Sequence, residues 1–458
     1  GHAALKVQNA GANAYNVAVG ASAGLSVTTG TYNTLVGGLS GDALTSGNTN
    51  VAIGYQALTS ETQGDRSVAI GVSALEVQNN TSNADIYNVA VGYHAGKAMT
   101  TGTENIIVGG LAGDALTTGA LNVAIGHGAL GAEDTGSGNV AVGYKALNDL
   151  DFDGTSYNIA LGYLAGEKIT TGIVNTIIGG LAGDALTTST RSVAVGYLSL
   201  STETGSSRSV AIGTEALKNQ NVGSGNAYNT AVGDSAGEEI TSAIQNTLIG
   251  GLAGDAVTTG NNNTALGYAA LSTETQGKKS VALGALSLHN QNNTSSIDVH
   301  NTAVGYNSGF NITTGVDNTI LGGLAGDAVT TGSYNVAVGR SALGSNTTAS
   351  SNISIGWNSL GACVEGSKNV GIGHQSLRNL NPSSASNTHN TAIGYHSGLN
   401  ISTGTNNTIL GSDAGDALTT GSNNIVIGRS AAASAVDVSN EITLGDSNIS
   451  AIRAQVTS

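Results

Sequence analysis

A glycine returns every seventeen residues along most of this chain. The word Asn/Ser-x-Ala/Ile/Leu-Val/Ile/Leu-Gly ends at Gly20, Gly37, Gly54 and Gly71, then at Gly92, Gly109, Gly126 and Gly143, and continues to Gly445. A short fixed period with one apolar word per repeat is the pattern of a solenoid, in which each coil buries its face against the next. Composition points the same way. With 68 Gly in 458 residues and only one Pro, one Met, one Trp and two Phe, the chain cannot assemble an aromatic core. Its stability has to come from stacked backbone.

A second period lies on top of the first. The glycine steps run 17, 17, 17 and then lengthen to 21 (Gly71 to Gly92), 19 (Gly143 to Gly162), 20 (Gly213 to Gly233) and 21 (Gly284 to Gly305). A further step of 21, Gly373 to Gly394, follows five coils instead of four. Four coils thus make a superrepeat of about 71 residues, extended once by a coil near Gly339 to Gly373. Insertions in a solenoid map to one edge, so the polar stretches that lengthen these coils are expected to form a row. The 25 closing glycines from Gly20 to Gly445 predict an all-β parallel β-solenoid, a β-roll of about 25 coils. At the strand spacing its length is on the order of 115 Å. Residues 1–440 are expected to form one continuous shaft, and residues 441–458 the last coil and a stub. Gly1 resembles the closing glycine of a coil whose beginning is missing, so the chain is expected to be part of a longer protein.

In words such as Val17-Ala18-Val19 and Val51-Ala52-Ile53 the middle residue is small and its neighbours are large. Alternate strand positions face opposite sides, so Ala lines a thin interior and Val, Ile and Leu form the other face. Such a stripe exceeds the few hundred square ångströms that a monomer normally exposes. Closed cyclic association with identical chains is therefore expected. The leading Asn (Asn16, Asn50, Asn88, Asn122) predicts an amide ladder from coil to coil, and segments such as Gln56–Gly64 predict a second, weaker strand at half-coil. A helix in each repeat is disfavoured by the Gly-dense, β-rich composition. The formal charge of −15 argues against nucleic acid, which needs clustered Lys and Arg. Cys363 is the one cysteine, which excludes a disulfide framework within the chain. No run approaches the roughly 18 apolar residues of a membrane span.

The N-x-A-x-G word resembles the head repeat of trimeric autotransporter adhesins, a left-handed parallel β-roll that trimerises, and the same roll occurs in phage fibres. Glu441–Ser458, EITLGDSNISAIRAQVTS, resembles the junction before the endosialidase-type intramolecular chaperone of phage tail fibres and tailspikes. That resemblance implies a C-terminal domain that assembles the trimer and is then released by cleavage after a serine, here Ser458. It implies a homotrimeric, extracellular virion fibre that attaches to a host-surface glycan or protein. A bacterial surface adhesin and a polysaccharide-cleaving tailspike are the competing readings.

Catalytic, cofactor and metal sites are not expected. Asp42, Asp114, Asp184, Asp255, Asp327 and Asp416 recur in a G-D-A-L/V-T word and are read as turn residues bonded to their own backbone. His94, His127, His374 and His396 follow closing glycines and are read as rim residues. Asp149, Asp151 and Asp153 share one inserted loop and are read as a solvated acidic loop, although a glycosidase would need two such acids. Thr pairs such as Thr117 and Thr118 recur too rarely for an ice-binding array. Receptor contacts, if lateral, are expected at the long coils, with Asn79, Asn80, Phe152, Tyr157, His289, Asn292 and Asn293 as candidates.

Overall fold

The computed structural model describes residues 1–453; Ser458 lies outside them. Two compact units are present, Gly1–Asn229 and Thr230–Ser458. Each is a parallel β-solenoid with a 17-residue period, and among the described residues there is no helix. The first unit holds twelve three-residue strands and the second thirteen, one for each apolar word. Pairing is parallel and in register. Val17, Ala18 and Val19 lie beside Thr34, Leu35 and Val36, and Thr230, Ala231 and Val232 beside Thr247, Leu248 and Ile249.

Both ends of the word explain why the strand is so short. The leading Asn ladder forms as expected. Asn33 and Asn50 are fully buried, and the Asn50 N–H donates to Asn33 Oδ1 at 2.9 Å. Asn33 Nδ2 donates to the carbonyl of Gly47 at 2.8 Å. Each side chain thus saturates two backbone groups of the next coil, removing a buried polar penalty of about 1–3 kcal/mol per group. At the other end Gly20, Gly37 and Gly54 turn the chain at φ near 140°. A Cβ on any of them would run into the carbonyl of the next closing glycine.

The interior is one side chain thick, and volumes alternate across it. Where the strand centre is Ala, as at Ala52 and Ala69, the facing residue four past the closing glycine is buried Leu58 or Leu75. Where the centre is Leu35, the facing residues are Gly24 and Gly41, whose added Cβ would approach the Leu35 methyls at 2.6 and 2.8 Å. Large meets small in each layer, the condition for a core of native density.

The half-coil strand expected at Gln56–Gly64 and its equivalents does not form. There the backbone makes turns, with left-handed φ at alternate residues: 57° at Ser22 and 59° at Gly24, 55° at Gln56 and 54° at Leu58. An extended segment would carry the chain past the narrow interior instead of returning it. Coil-to-coil bonds persist nonetheless, from Gly24 N–H to Ser40 O at 2.9 Å and from Thr28 N–H to Thr45 O at 2.9 Å. They offset the roughly 1–2 kcal/mol that left-handed φ costs each non-glycine residue.

Candidate functional site

Four columns of side chains run up the outward side of each unit. The first and third residues of every strand point outward, giving a face of Val, Ile, Leu and Thr on which Val17 and Val19 are 51% and 57% exposed. One border of this face is the residue after each closing glycine. The other is the residue before each leading Asn.

The border after the closing glycine is rich in rings. His127 stacks on Tyr144 with centroids 5.7 Å apart, and Tyr144 on Tyr163 at 5.4 Å. His374 lies between Trp357 at 4.7 Å and Tyr395 at 5.0 Å. His94 packs on its neighbour Tyr93 at 3.7 Å, and His396 Nδ1 lies 3.4 Å from Asp413. The four histidines are rim residues in stacks. Beside them a cleft of about 300 Å³ is lined by Asp114, His127, Lys145 and Asn148. It opens because Gly128 and Gly131 stand where the preceding superrepeat has Gln56 and Thr59.

The inserted loops are built on a feature that sequence reasoning missed. Glu61, Glu133, Glu203 and Glu274 recur at superrepeat spacing and are fully buried. Glu274 shows the complete arrangement. Its Oε1 accepts from the N–H groups of Thr275 (2.9 Å), Gln276 (3.1 Å), Gly277 (2.7 Å) and Asn293 (3.0 Å). Its Oε2 accepts from Gln291 Nε2 at 2.8 Å and Asn293 Nδ2 at 3.0 Å. Gln291 also donates to Ser280 Oγ at 2.9 Å and accepts from Asn301 Nδ2 at 2.9 Å. Glu61 repeats the pattern with Gln78 and Asn80. The insert is thereby tied to the preceding coil where it leaves, and an isolated bridge, Lys278 to Asp298, ties it where it returns.

The predicted contact residues divide accordingly. Asn80 and Asn293 are buried, their amides engaged by Glu61 and Glu274. Asn79 and Asn292 accept from Thr62 Oγ1 (2.9 Å) and Thr275 Oγ1 (3.0 Å). His289 Nδ1 lies 2.8 Å from Ser272 Oγ, and the ring stacks on Phe310 at 5.1 Å. Phe152 is half-buried, its N–H donating to Glu133 Oε2 at 3.3 Å. Tyr157 stands on the border before the Asn and is 64% exposed. Continuous exposed stretches of the inserts lie at Thr81–Asp85 in the first long coil and Thr294–Asp298 in the fourth.

The recurring aspartates are turn residues. Asp42 accepts from Thr59 Oγ1, and burial raises the carboxyls of Asp114, Asp184, Asp255 and Asp327 against the lowering effect of each residue's own N–H. The acids of the second insert have separate partners. Asp149 pairs with Lys168 at 3.1 Å, Asp153 accepts from Thr135 Oγ1 at 2.8 Å, and Asp151 clusters with Glu133 and Asp134. His289 Nδ1 also faces the carbonyl of Ala269, on the same coil as Ser272, at 3.2 Å. The chain matches no protein-family model and no curated protein sequence.

Proposed function

We propose that this protein is the shaft of a homotrimeric fibre, of the kind phage tails use to attach to a host, acting by reach and contact and not by catalysis. One observation carries the reading: the outward columns of β-branched and aliphatic residues, in register from strand to strand, stay open to solvent on a rigid scaffold. Val19, Ile53, Ile106 and Leu161 are all more than a third exposed. Over either unit such a face amounts to on the order of 1,000 Å², beyond what monomers leave uncovered. Identical chains around a threefold axis cover it without leaving an edge. The phage assignment rests on the resemblance of Glu441–Ser458 to a chaperone junction, and the partner it implies is a glycan or protein on the host surface.

Sedimentation of the purified protein tests the assembly: three copies are expected, and a monodisperse monomer overturns it. Replacing Val91 and Ile125 by Asp places unpaired charge in the covered face and is expected to abolish the trimer. Codons for Asp and a chaperone-like domain immediately after Ser458 support the phage fibre; a neck, coiled-coil stalk and membrane anchor support a bacterial adhesin instead.

A further inference from the structure

One position in the ring-rich border is empty for no reason internal to the chain. The coil carrying the G-D-A word has Gly38, Gly110, Gly180, Gly251 and Gly323; rings flank Gly110 and Gly180 on both sides (Tyr93 and His127, Tyr163 and Tyr197) and the other three on one side (Tyr55, Tyr268, Tyr306), with Ala21, Asp234 and Arg340 opposite. None of these five glycines has a φ in the left-handed region. A Cβ on Gly38, Gly110, Gly180 or Gly251 would meet the next coil's ring at 3.5, 3.7, 3.7 and 3.8 Å, which is ordinary contact. Neither the backbone nor a neighbour demands glycine there, and each one raises the entropic cost of folding. The rings beside the gap stay bare. Tyr163 and Tyr197, flanking Gly180, are 57% and 53% exposed, against 43% for Tyr144, which is stacked on both faces.

The opposite border supplies a ring at the same period. Tyr15, Tyr87 and Tyr157 in the first unit, and His300 and His389 in the second, each precede the leading Asn one coil before a gap, the last of these facing Ser412 in place of glycine. Tyr15 and Tyr157 are 66% and 64% exposed. We infer that the ring of one copy seats in the gap of the next, so that adjoining borders form a series of ring-into-gap joints that fix the axial register of the assembly. The inference rests on the homotrimer proposed above. A second copy is the occupant because the gaps border the very face that a second copy covers, and because Gly38, Gly110, Gly180 and Gly323 each have a ring on the opposite border a single coil step of about 4.8 Å before them, whereas Tyr32 and Tyr334 on that border have no gap one coil on. The Val and Ile columns are nearly uniform from coil to coil and tolerate a slip by whole coils. A joint that recurs only once per superrepeat does not. Tyr157 thereby belongs to the contact between copies and not to a receptor.

The test places cysteines at Tyr157 and Gly180 together and treats the assembled protein with a short bis-maleimide before denaturing electrophoresis. Within one chain the two positions stand at opposite ends of the strand, roughly 15 Å apart, so that linkage reports neighbouring copies. Native Cys363 is fully buried and silent. Covalent trimers are expected from the double variant and monomers from either single variant. A companion variant with Gly110, Gly180 and Gly323 changed to Leu is expected to keep the circular dichroism of the coil while its trimer dissociates at a lower temperature. If the unaltered protein sediments as a monomer, the fibre reading itself fails. If it is trimeric, yet the double-cysteine variant gives no covalent oligomer, or the leucine variant dissociates at the unaltered temperature, the joint is overturned and the trimer stands. A leucine variant that keeps its trimer and loses adhesion to glycan would identify the gap as a ligand slot, which also overturns the joint.

Discussion

Glu274 in the second unit and Glu133 in the first occupy the same place in their superrepeats, are equally buried, and are held differently. Glu274 has Gln291 above it and Ser280 at the ladder position, and both its oxygens are saturated. Glu133 has Leu150 in place of the glutamine and Asn139 in place of the serine. Its oxygens accept from Gly136 N–H at 2.6 Å and Phe152 N–H at 3.3 Å, with Asp134 and Asp151 close by. The ladder compensates, since Asn139 Oδ1 takes Ser156 Oγ at 2.7 Å. Around Cys363 the substitution goes further, with Leu380 above, Asn369 on the ladder and Thr388 Oγ1 at 2.7 Å from Asn369 Oδ1; burial drives the thiol up to about 11. Glutamine goes with serine, and leucine with asparagine. The insert is anchored either by a charge or by the ladder, and what decides a buried carboxylate's state is its donors rather than its depth.

Removing the charge from the saturated site should have the largest effect. Glu274→Leu strands four backbone N–H groups and the amides of Gln291 and Asn293, and a loss of about 3–5 kcal/mol in urea unfolding is expected. Glu133→Leu should cost far less; equal losses would erase the distinction. Next comes Gln291→Leu, expected to cost about 1–3 kcal/mol. Adding Ser280→Asn, which transplants the second solution, should recover part of it, and a double-mutant cycle without coupling would show that the two residues are independent.

The third effect depends on pH. Burial pushes the Glu203 carboxyl up, but the Ser206 hydroxyl and N–H, the Val222 N–H and Gln220 together hold it below its ordinary value. Its contribution is present above the ordinary carboxylate range and is lost as pH falls through the lowered value. Burial raises Glu133, and two N–H donors do not offset it against Asp134 and Asp151. Glu133 therefore favours folding at low pH, and that contribution is lost as pH rises through the raised value. Glu203→Gln should lower the thermal midpoint at pH 7, whereas Glu133→Gln should raise it, a gain that disappears at pH 3. Midpoints that fall together at pH 7 would break the comparison. The smallest effect is expected at the exposed return of the insert, where Lys279 pairs with Asp298 at 2.7 Å. Lys279→Ala should leave the midpoint unchanged, because exposed ion pairs are screened, and a clear loss would place the anchor at that end instead.

The strand words, their faces and the Asn ladder were legible because each residue type there has one physical use. The half-coil was not, because Ser22, Gln56 and Leu58 carry no mark of left-handed φ in their identity; only closure of the coil requires it. The buried glutamates left a signal that went unread. In the column of Val27 and Leu44, Glu61 brings in a carboxylate, and a charge in a largely apolar column announces a built site. Asn80 and Asn293 were misleading for the same reason, since an insert looks solvated throughout until the carboxylate that claims its first amides is known.

The extra coil between Gly339 and Gly356 has a consequence for how such genes change. Val338, Ile355 and Ile372 pair in unbroken register across it, so duplication of a seventeen-codon segment is structurally silent provided the reading frame and the closing glycine survive. Unequal crossing-over between segments that share the closing-glycine word supplies such duplications. Length in this protein is therefore a trait that a lineage can tune in single-coil increments without inventing a new residue.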